Sequence, residues 1–246
     1  MRFWRKRTSV APATLAALDP HWVHDRFDRF VAATVPDGKK WPAGVWDAET
    51  GELVWAAGST CWLRDGAQVL ALQGDRSQTL ERRNWPELDL VSSCEVVPWA
   101  CCNERVAASP RGDLAAVLWW HQTEGGFELV ALDDRHGDRQ LNRGYTTWDS
   151  NLLGGPAFSP DGRFVAMTEG LHAWWEKGRE RGRLTVVDVG TGAPRHYPIS
   201  DDPPEGVDDG QTERYELLGP PRFAEPDQVV LSPAFGRERR ISLEPR

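Results

Sequence analysis

The sequence predicts an all-β fold made of many short antiparallel strands, and three observations support that fold class. The 246 residues include 23 Gly and 18 Pro, two residue types that favour frequent turns. They also include 13 Trp, and large aromatic side chains are enriched in strands. One strand-and-turn pattern recurs along the chain, which is the signature of a repeat architecture. Short strands joined by tight turns are therefore expected, and long helices are not.

The repeated pattern is clearest between residues 158 and 192. Residues 158–167 (FSPDGRFVAM) predict a strand, a tight Asp-Gly turn and a second strand, and residues 183–192 (RLTVVDVGTG) predict a further strand and turn. More divergent copies occupy 108–117 with 127–134, 62–72, 223–231, and 29–34 with 45–54. The unit therefore spans most of the chain.

The first copy has an alternative interpretation as a helix. Asp19 could cap a helix with Pro20 at its first position, followed by an apolar series from Trp22 to Val31. We favour strands, because residues 29–34 nearly duplicate residues 163–168, where the strand pattern is unambiguous.

The predicted turns define the number of repeats. They lie near Asp28, Asp65, Gly112, Gly162 and Asp227, at spacings of 37, 47, 50 and 65 residues. Four-stranded antiparallel units arranged radially bury their apolar faces against each other, so we predict a five-bladed β-propeller occupying 1–246 as a single domain. The expected blades are 20–58, 59–97, 98–148, 149–199 and 215–246, with an N-terminal strand, 2–10, closing the last blade.

Three segments carry a family resemblance. Residues 46–52 (WDAETGE), 187–192 (VDVGTG) and 158–163 (FSPDGR) resemble the motifs of WD-repeat and related bacterial β-propellers. The Gly-His pair that opens such repeats is missing, and only 46–52 has Trp-Asp at the repeat position. The resemblance implies a scaffold that binds partners, usually through its top face, and fold alone does not establish function.

The charge composition argues against nucleic acid or a membrane as partner. The 29 Lys and Arg are outnumbered by 37 Asp and Glu, a net charge of −8, which disfavours attraction to polyanions. No apolar run reaches the ~18 residues of a spanning helix. The basic stretch 1–7 is followed by weakly apolar residues and Asp19-Pro20, unlike a signal peptide. We expect a cytoplasmic protein.

Neither a metal nor a cofactor is expected. Cys101 and Cys102 are adjacent, and the four cysteines contain no Cys-x-x-Cys pair, so buried free thiols are the simplest interpretation. His21 and His24 form a His-x-x-His pair without a third ligand nearby. The acidic segment 200–213 matches no calcium-loop spacing and is interpreted as a solvated loop.

A candidate binding site is predicted on the top face, where the loops between second and third strands lie. These loops are expected at 36–43, 74–85, 121–126, 170–182 and 235–239, with ten Lys and Arg against seven Asp and Glu, a net +3, whereas the rest of the chain carries −11. Trp offers stiff contact area and Arg a forked donor for carboxylates. The predicted contact residues are Trp174, Trp175, Arg179, Arg181, Trp119, Trp120, His121, Trp41, Lys40, Arg83 and Trp85.

The same tryptophans have an alternative role in packing blade against blade. Trp46, Trp55 and Trp62 are expected to serve in that way, whereas Trp174 and Trp175 stand in a long polar loop and are the strongest contact candidates.

The sequence contains no nucleophile, metalloprotease or phosphate-binding motif. We therefore predict a non-enzymatic protein–protein interaction module or scaffold subunit whose partner is another protein with an acidic segment. Self-association is an alternative use of the exposed Trp pairs. The alternative function is lectin-like binding of a carbohydrate or small ligand. A glycoside hydrolase ranks below it, because inner-strand carboxylates are few: Asp25 or Asp28, Glu104, and Glu225 or Asp227.

Overall fold

The computed structural model describes residues 8–18, 22–35, 42–63, 65–73, 78–97, 102–121, 124–145, 150–171, 182–199, 221–231 and 238–243. Five antiparallel sheets follow one another along the chain, and we call them blades 1 to 5. Within each blade the strands pair in sequence order, from the first to the last. The predicted all-β fold of five antiparallel units is confirmed.

The strands have the following bounds. Blade 1 contains β1 (Val23–Phe27), β2 (Phe30–Thr34), β3 (Ala43–Asp47) and β4 (Leu53–Ala56). Blade 2 contains β5 (Thr60–Trp62), β6 (Gln68–Gln73), β7 (Gln78–Asn84) and β8 (Leu90–Val97). Blade 3 contains β9 (Cys102–Ala108), β10 (Leu114–His121), β11 (Glu124–Ala131) and β12 (Arg139–Tyr145). Blade 4 contains β13 (Ser150–Phe158), β14 (Phe164–Leu171), β15 (Gly182–Asp188) and β16 (Pro194–Ile199). Blade 5 contains β17 (Arg222–Glu225), β18 (Gln228–Leu231) and β19 (Arg239–Ser242).

The tight turns that defined the repeats lie where they were predicted. Each of the five predicted turn positions falls between the first and second strands of a blade. Gly66, Gly112 and Gly162 have φ between 68° and 75° there, and Asp28 has φ 52°. Because this left-handed region suits Gly and, among other residues, Asp or Asn, the local turn chemistry was readable from sequence.

A second turn motif repeats between the third and fourth strands. An Asp at or just after the end of the third strand accepts hydrogen bonds, through its side chain, from the backbone N–H groups two and three residues later. A Gly four residues after the Asp has φ between 70° and 79°. The pairs are Asp47 with Gly51, Asp133 with Gly137, and Asp188 with Gly192. Blade 2 instead has Asn84 and Leu88, and Leu88 adopts φ 64°.

The core lies between adjacent blades. Val45 of blade 1 packs with Trp62 and Val69 of blade 2, and similar apolar clusters join blade 2 to 3, 3 to 4 and 4 to 5. Trp62 is buried and Trp55 is half-buried in the cluster between blades 1 and 2, which confirms their predicted role in packing blade against blade. Trp46 is also buried, but it packs with Val31 and Leu15 on the other side of blade 1, so its predicted contact with a neighbouring blade is wrong. Both faces of an inner blade are therefore apolar, and each blade is stabilised by its neighbours.

The N-terminal residues pack on blade 1. A short helix, α1 (Pro12–Ala16), places the fully buried Leu15 against Val31 and Trp46. Ser9 pairs antiparallel with Glu52 at the outer edge of blade 1. The prediction that residues 2–10 complete blade 5 is therefore wrong for residues 8–10, and residues 2–7 lie outside the described part. The alternative helix from Asp19 is also wrong, since β1 and β2 occupy 23–34.

Candidate interaction surfaces

The strand directions define two faces. The first-to-second and third-to-fourth turns lie on one face, which we call the bottom face. The second-to-third loops and the connections between blades begin and end at the opposite ends of the strands, which we call the top face. Loops that begin and end on a rigid sheet are common places for binding residues.

Six predicted contact residues lie outside the described residues: Lys40, Trp41, Trp174, Trp175, Arg179 and Arg181. The strands that flank them are described. Gly170 of β14 pairs with Gly182 of β15, and Thr34 of β2 pairs with Ala43 of β3. These pairs mark the top ends of blades 4 and 1, so both connections start and finish at the top face.

Arg83 and Trp85 lie at the other end of their blade, so their predicted place in a top loop is wrong. Residues 78–84, expected to be part of a loop, form strand β7, and Trp85 follows in the third-to-fourth turn. Trp85 is buried, with its ring centroid 5.6 Å from that of Trp62 and 5.0 Å from that of Phe30, both in edge-to-face geometry. Arg83 donates to the carbonyl oxygen of Leu88 and lies over the Trp55 ring. This charged strand resembles a loop in composition, but its pairing with β6 and β8 makes it part of the sheet.

The Trp119-Trp120-His121 series forms the top end of β10. Trp119 is buried in the cluster between blades 2 and 3. Its indole leaves no room for a side chain at Gly126 on the paired strand, where a Cβ would lie 2.6 Å from the ring. Trp120 pairs with Gly125 and His121 with Glu124 at the end of the hairpin. Trp119 is thus part of the core, and the predicted loop at 121–126 is shorter, since β11 begins at Glu124.

A buried polar network lies at the top end of blade 4. Arg183 Nε and Nη2 donate to Glu169 Oε2 at 3.0 and 2.8 Å. The Thr185 hydroxyl donates to Glu169 Oε1 and lies 2.9 Å from Nδ1 of His196 on the outermost strand. Glu169 and Thr185 are almost fully buried. The network therefore joins β14, β15 and β16 close to the point where the chain enters and leaves residues 172–181.

Other buried polar groups connect neighbouring blades. Asp25 of blade 1 accepts a hydrogen bond from the Trp62 backbone N–H of blade 2 at 2.8 Å, and burial raises the pKa of its carboxyl. The Ser59 hydroxyl accepts from the Val106 N–H of blade 3 at 3.0 Å. Arg82 Nη2 lies 3.0 Å from the buried Asp138 across blades 2 and 3. Such paired buried groups hold the blades in a defined relation.

Cysteine and histidine side chains form no candidate centre within the described ranges. Cys61 is a buried free thiol, whose pKa burial raises well above the usual value, and Cys94 is a half-buried one. His24 Nε2 lies 3.2 Å from Thr34 Oγ1. His21, Cys101 and residues 200–213 fall outside the description, and nowhere in the described part do three His, Cys, Asp or Glu side chains gather as metal ligands. The described α1 is far too short to cross a membrane, and no described helix has the necessary length and apolarity.

No protein-family model and no curated protein matches this chain. Solved structures do. The β-propeller domain of Cps50 (Swd1) from Myceliophteria thermophila matches with a TM-score of 0.54 and 13% identity, over 90% of this chain and 69% of that chain. The Dos1 propeller matches with a TM-score of 0.53 and 10% identity, over 87% of this chain and 52% of that one. TolB from Acinetobacter baumannii has a TM-score of 0.46 and 13% identity, over 87% and 49%.

This chain thus spans about half the length of the Dos1 and TolB chains. At such low identities, the similarity to the Swd1 and Dos1 propellers concerns the fold. Together with the five consecutive antiparallel sheets and the apolar clusters between them, it shows that this chain is a β-propeller.

Proposed function

We propose that this chain is a non-enzymatic scaffold propeller that binds a partner protein through the loops of its top face. The observation that carries the proposal is the buried Glu169–Arg183 pair at the top end of blade 4. It holds the strand ends on either side of residues 172–181 in a fixed geometry, and preorganised supports reduce the entropy lost on binding.

The residues in these connections suit recognition of an acidic segment. Trp174 and Trp175 supply broad, rigid contact area, and Arg179 and Arg181 supply forked donors for carboxylates. Lys40 and Trp41 repeat this combination in the connection between β2 and β3, and Trp120 and His121 end a strand on the same face. We assign these residues to the contact surface and the buried Trp85 and Trp119 to packing.

The described ionisable groups support a scaffold role. Asp25, Arg82 and Glu169 each connect strands or blades through the contacts given above. These contacts lie within the fold, which favours a rigid binding platform.

The test is affinity capture from native lysate with tagged wild-type protein beside the Trp174→Ala/Trp175→Ala double variant. The matched control is Arg111→Ala/Arg135→Ala, which alters two exposed turn residues on the bottom face. We expect a protein recovered at near-equal stoichiometry with wild type and control, and reduced by roughly tenfold or more with the double Trp variant, since aromatic hot-spot residues dominate binding.

Circular dichroism and thermal unfolding of all three proteins check that they are folded. A partner retained by the double Trp variant, or lost equally from the control, would contradict the proposal. Capture of no protein, combined with binding to a glycan array, would instead favour the carbohydrate-binding alternative.

A further inference from the structure

The outermost strands of blades 1, 2 and 3 share an irregularity. In blade 1, Val45 pairs with Trp55 and Trp46 with Leu53, which leaves Val54 as an extra residue. The same one-residue bulge occurs in blade 2 at Val91, and in blade 3 at Leu141. Blade 2 has a second bulge at Val96, which is buried. Blade 4 pairs β15 with β16 residue for residue. Bulges redirect a side chain and interrupt the pairing ladder. Their recurrence in three blades indicates a regular feature of this fold.

The three bulges that follow the third-to-fourth turns each expose an aliphatic side chain. Val54, Val91 and Leu141 are 46, 38 and 49% exposed, and Leu90 next to the second bulge is 52% exposed. In the described part, these four are the large apolar residues that are exposed. They lie at corresponding places on the outer rim, shortly after the third-to-fourth turns. An exposed apolar set of this kind is typical of an interaction surface.

Blade 1 shows what such an edge can bind. The Val10 N–H donates to the Gly51 carbonyl at 2.9 Å, and the Leu53 N–H donates to the Thr8 carbonyl at 3.0 Å. Residues 8–10 thus add an extended segment to the edge immediately before the bulge. An unpaired strand edge is a general template for such addition.

Blade 2 offers the equivalent positions with a different charge. Leu88, like Gly51, has a left-handed φ and stands three residues before the bulge. Its carbonyl accepts from Arg83 at 2.6 Å and keeps a second lone pair. By equivalence with Leu53, the Leu90 N–H is the outward donor. Strand β8 forms the edge of its sheet among the described strands.

The negative charges around β8 favour a positively charged partner segment. Glu87 and Asp89 precede the exposed aliphatic pair, Glu95 follows it, and all three carboxylates are exposed. Blade 3 differs, because Arg139 begins its outer strand and the Asn142 amide donates to the Gly192 carbonyl of blade 4. Blade 2 is therefore the edge best suited to a cationic segment.

We propose that the outer strand of blade 2 binds an extended basic segment of a partner protein by strand addition. The peptide backbone pairs with β8, an apolar side chain covers Leu90 and Val91, and Lys or Arg side chains approach Glu87, Asp89 and Glu95. This surface is on the rim and is distinct from the top face, so it goes beyond the proposed function and is independent of it.

The experiment uses a fluorescein-labelled peptide of alternating Lys and Val, with a Glu-Val peptide of the same length as counterpart. Fluorescence anisotropy with the full chain at low salt should show binding of the Lys-Val peptide and none of the Glu-Val peptide up to about 1 mM. Amide hydrogen exchange should slow in residues 90–95 when the basic peptide is bound.

Val91→Lys places a positive charge, of the same sign as the peptide's, at the binding edge and removes an aliphatic contact. We therefore expect the affinity for the Lys-Val peptide to fall by roughly tenfold or more. Leu141→Lys makes the same exchange at the corresponding bulge of blade 3 and should leave the affinity unchanged. Glu95→Lys is a second exposed variant that should weaken binding, with the loss largest at low salt.

Three results would overturn the proposal: no binding of the Lys-Val peptide, equal loss in Val91→Lys and Leu141→Lys, or protection located outside β8. These results are independent of the Trp174 and Trp175 test, because that test concerns the connection between β14 and β15 of blade 4.

Discussion

At the residue scale, two turn glycines show two different reasons for having glycine at a position: a left-handed φ and a close approach of other backbone atoms. Gly51 and Gly137 occupy the same position in the third-to-fourth turns of blades 1 and 3, with φ 73° and 79°. A Cβ on Gly137 would meet nothing within 4 Å, whereas one on Gly51 would lie 1.9 Å from the Val10 carbonyl oxygen. Conformation alone favours glycine at 137, whereas at 51 both conformation and the close approach of Val10 favour it.

We therefore expect Gly137→Ala to lower the free energy of unfolding by about 1 kcal/mol, the cost of a left-handed Ala. Gly51→Ala should cost more, because residues 8–10 must also move away from the edge. Urea unfolding measures both values, and limited proteolysis should cut the first 18 residues faster in Gly51→Ala alone. Equal costs and equal cutting would show that the N-terminal segment does not depend on this contact.

At the element scale, a buried ion pair adds to the backbone pairing that joins two strands of blade 4. Glu169 of β14 is nearly inaccessible and faces Arg183 of β15. Removing one member of a buried pair leaves the other charge uncompensated, which costs far more than losing an exposed pair.

Arg183→Met should therefore lower the free energy of unfolding by about 3–5 kcal/mol. Arg163→Met is the matched control: Arg163 faces Asp188 at 3.5 Å in the same blade but is largely exposed, so its loss should cost about 0–1 kcal/mol. Urea denaturation of the two variants provides the comparison. If the two losses were similar, the network at the top of blade 4 would not be a stabilising support.

At the scale of the whole molecule, the two terminal blades end differently. The far face of blade 1, with Val31, Ala33 and Trp46, is covered by residues 8–18 of the chain itself. Residues 8–18 therefore take part in the core of blade 1. Blade 5 packs Val229 and Leu231 against blade 4. On its other face the exposed Arg222 and Arg240 lie on either side of Val230, which is fully buried.

If residues 8–18 belong to the core, Leu15→Ala should lower the free energy of unfolding by about 2–5 kcal/mol, the usual range for a fully buried Leu. Leu141→Ala, at an exposed position, should change it by less than about 0.5 kcal/mol. Equilibrium unfolding in urea distinguishes the two. A Leu15→Ala protein as stable as Leu141→Ala would mean that α1 only rests on the surface of blade 1.

The sequence by itself determined the repeat and its turns. Asp28, Gly112 and Gly162 could be placed because a left-handed turn is a local requirement, set by the residue that occupies it. The five blades followed from counting these turns. The role of Trp62 in packing blade against blade was also readable, because it lies in a strand of the repeat.

Only the tertiary structure decided which residues face a neighbour. The charged strand β7 reads as a loop until its pairing with β6 and β8 is known, and Trp85 is buried because Trp62 and Phe30 surround it. Residues 8–10 pair with blade 1, and the exposed Val91 results from a register shift between two strands. Burial and register depend on residues distant in sequence, so a local pattern does not contain them.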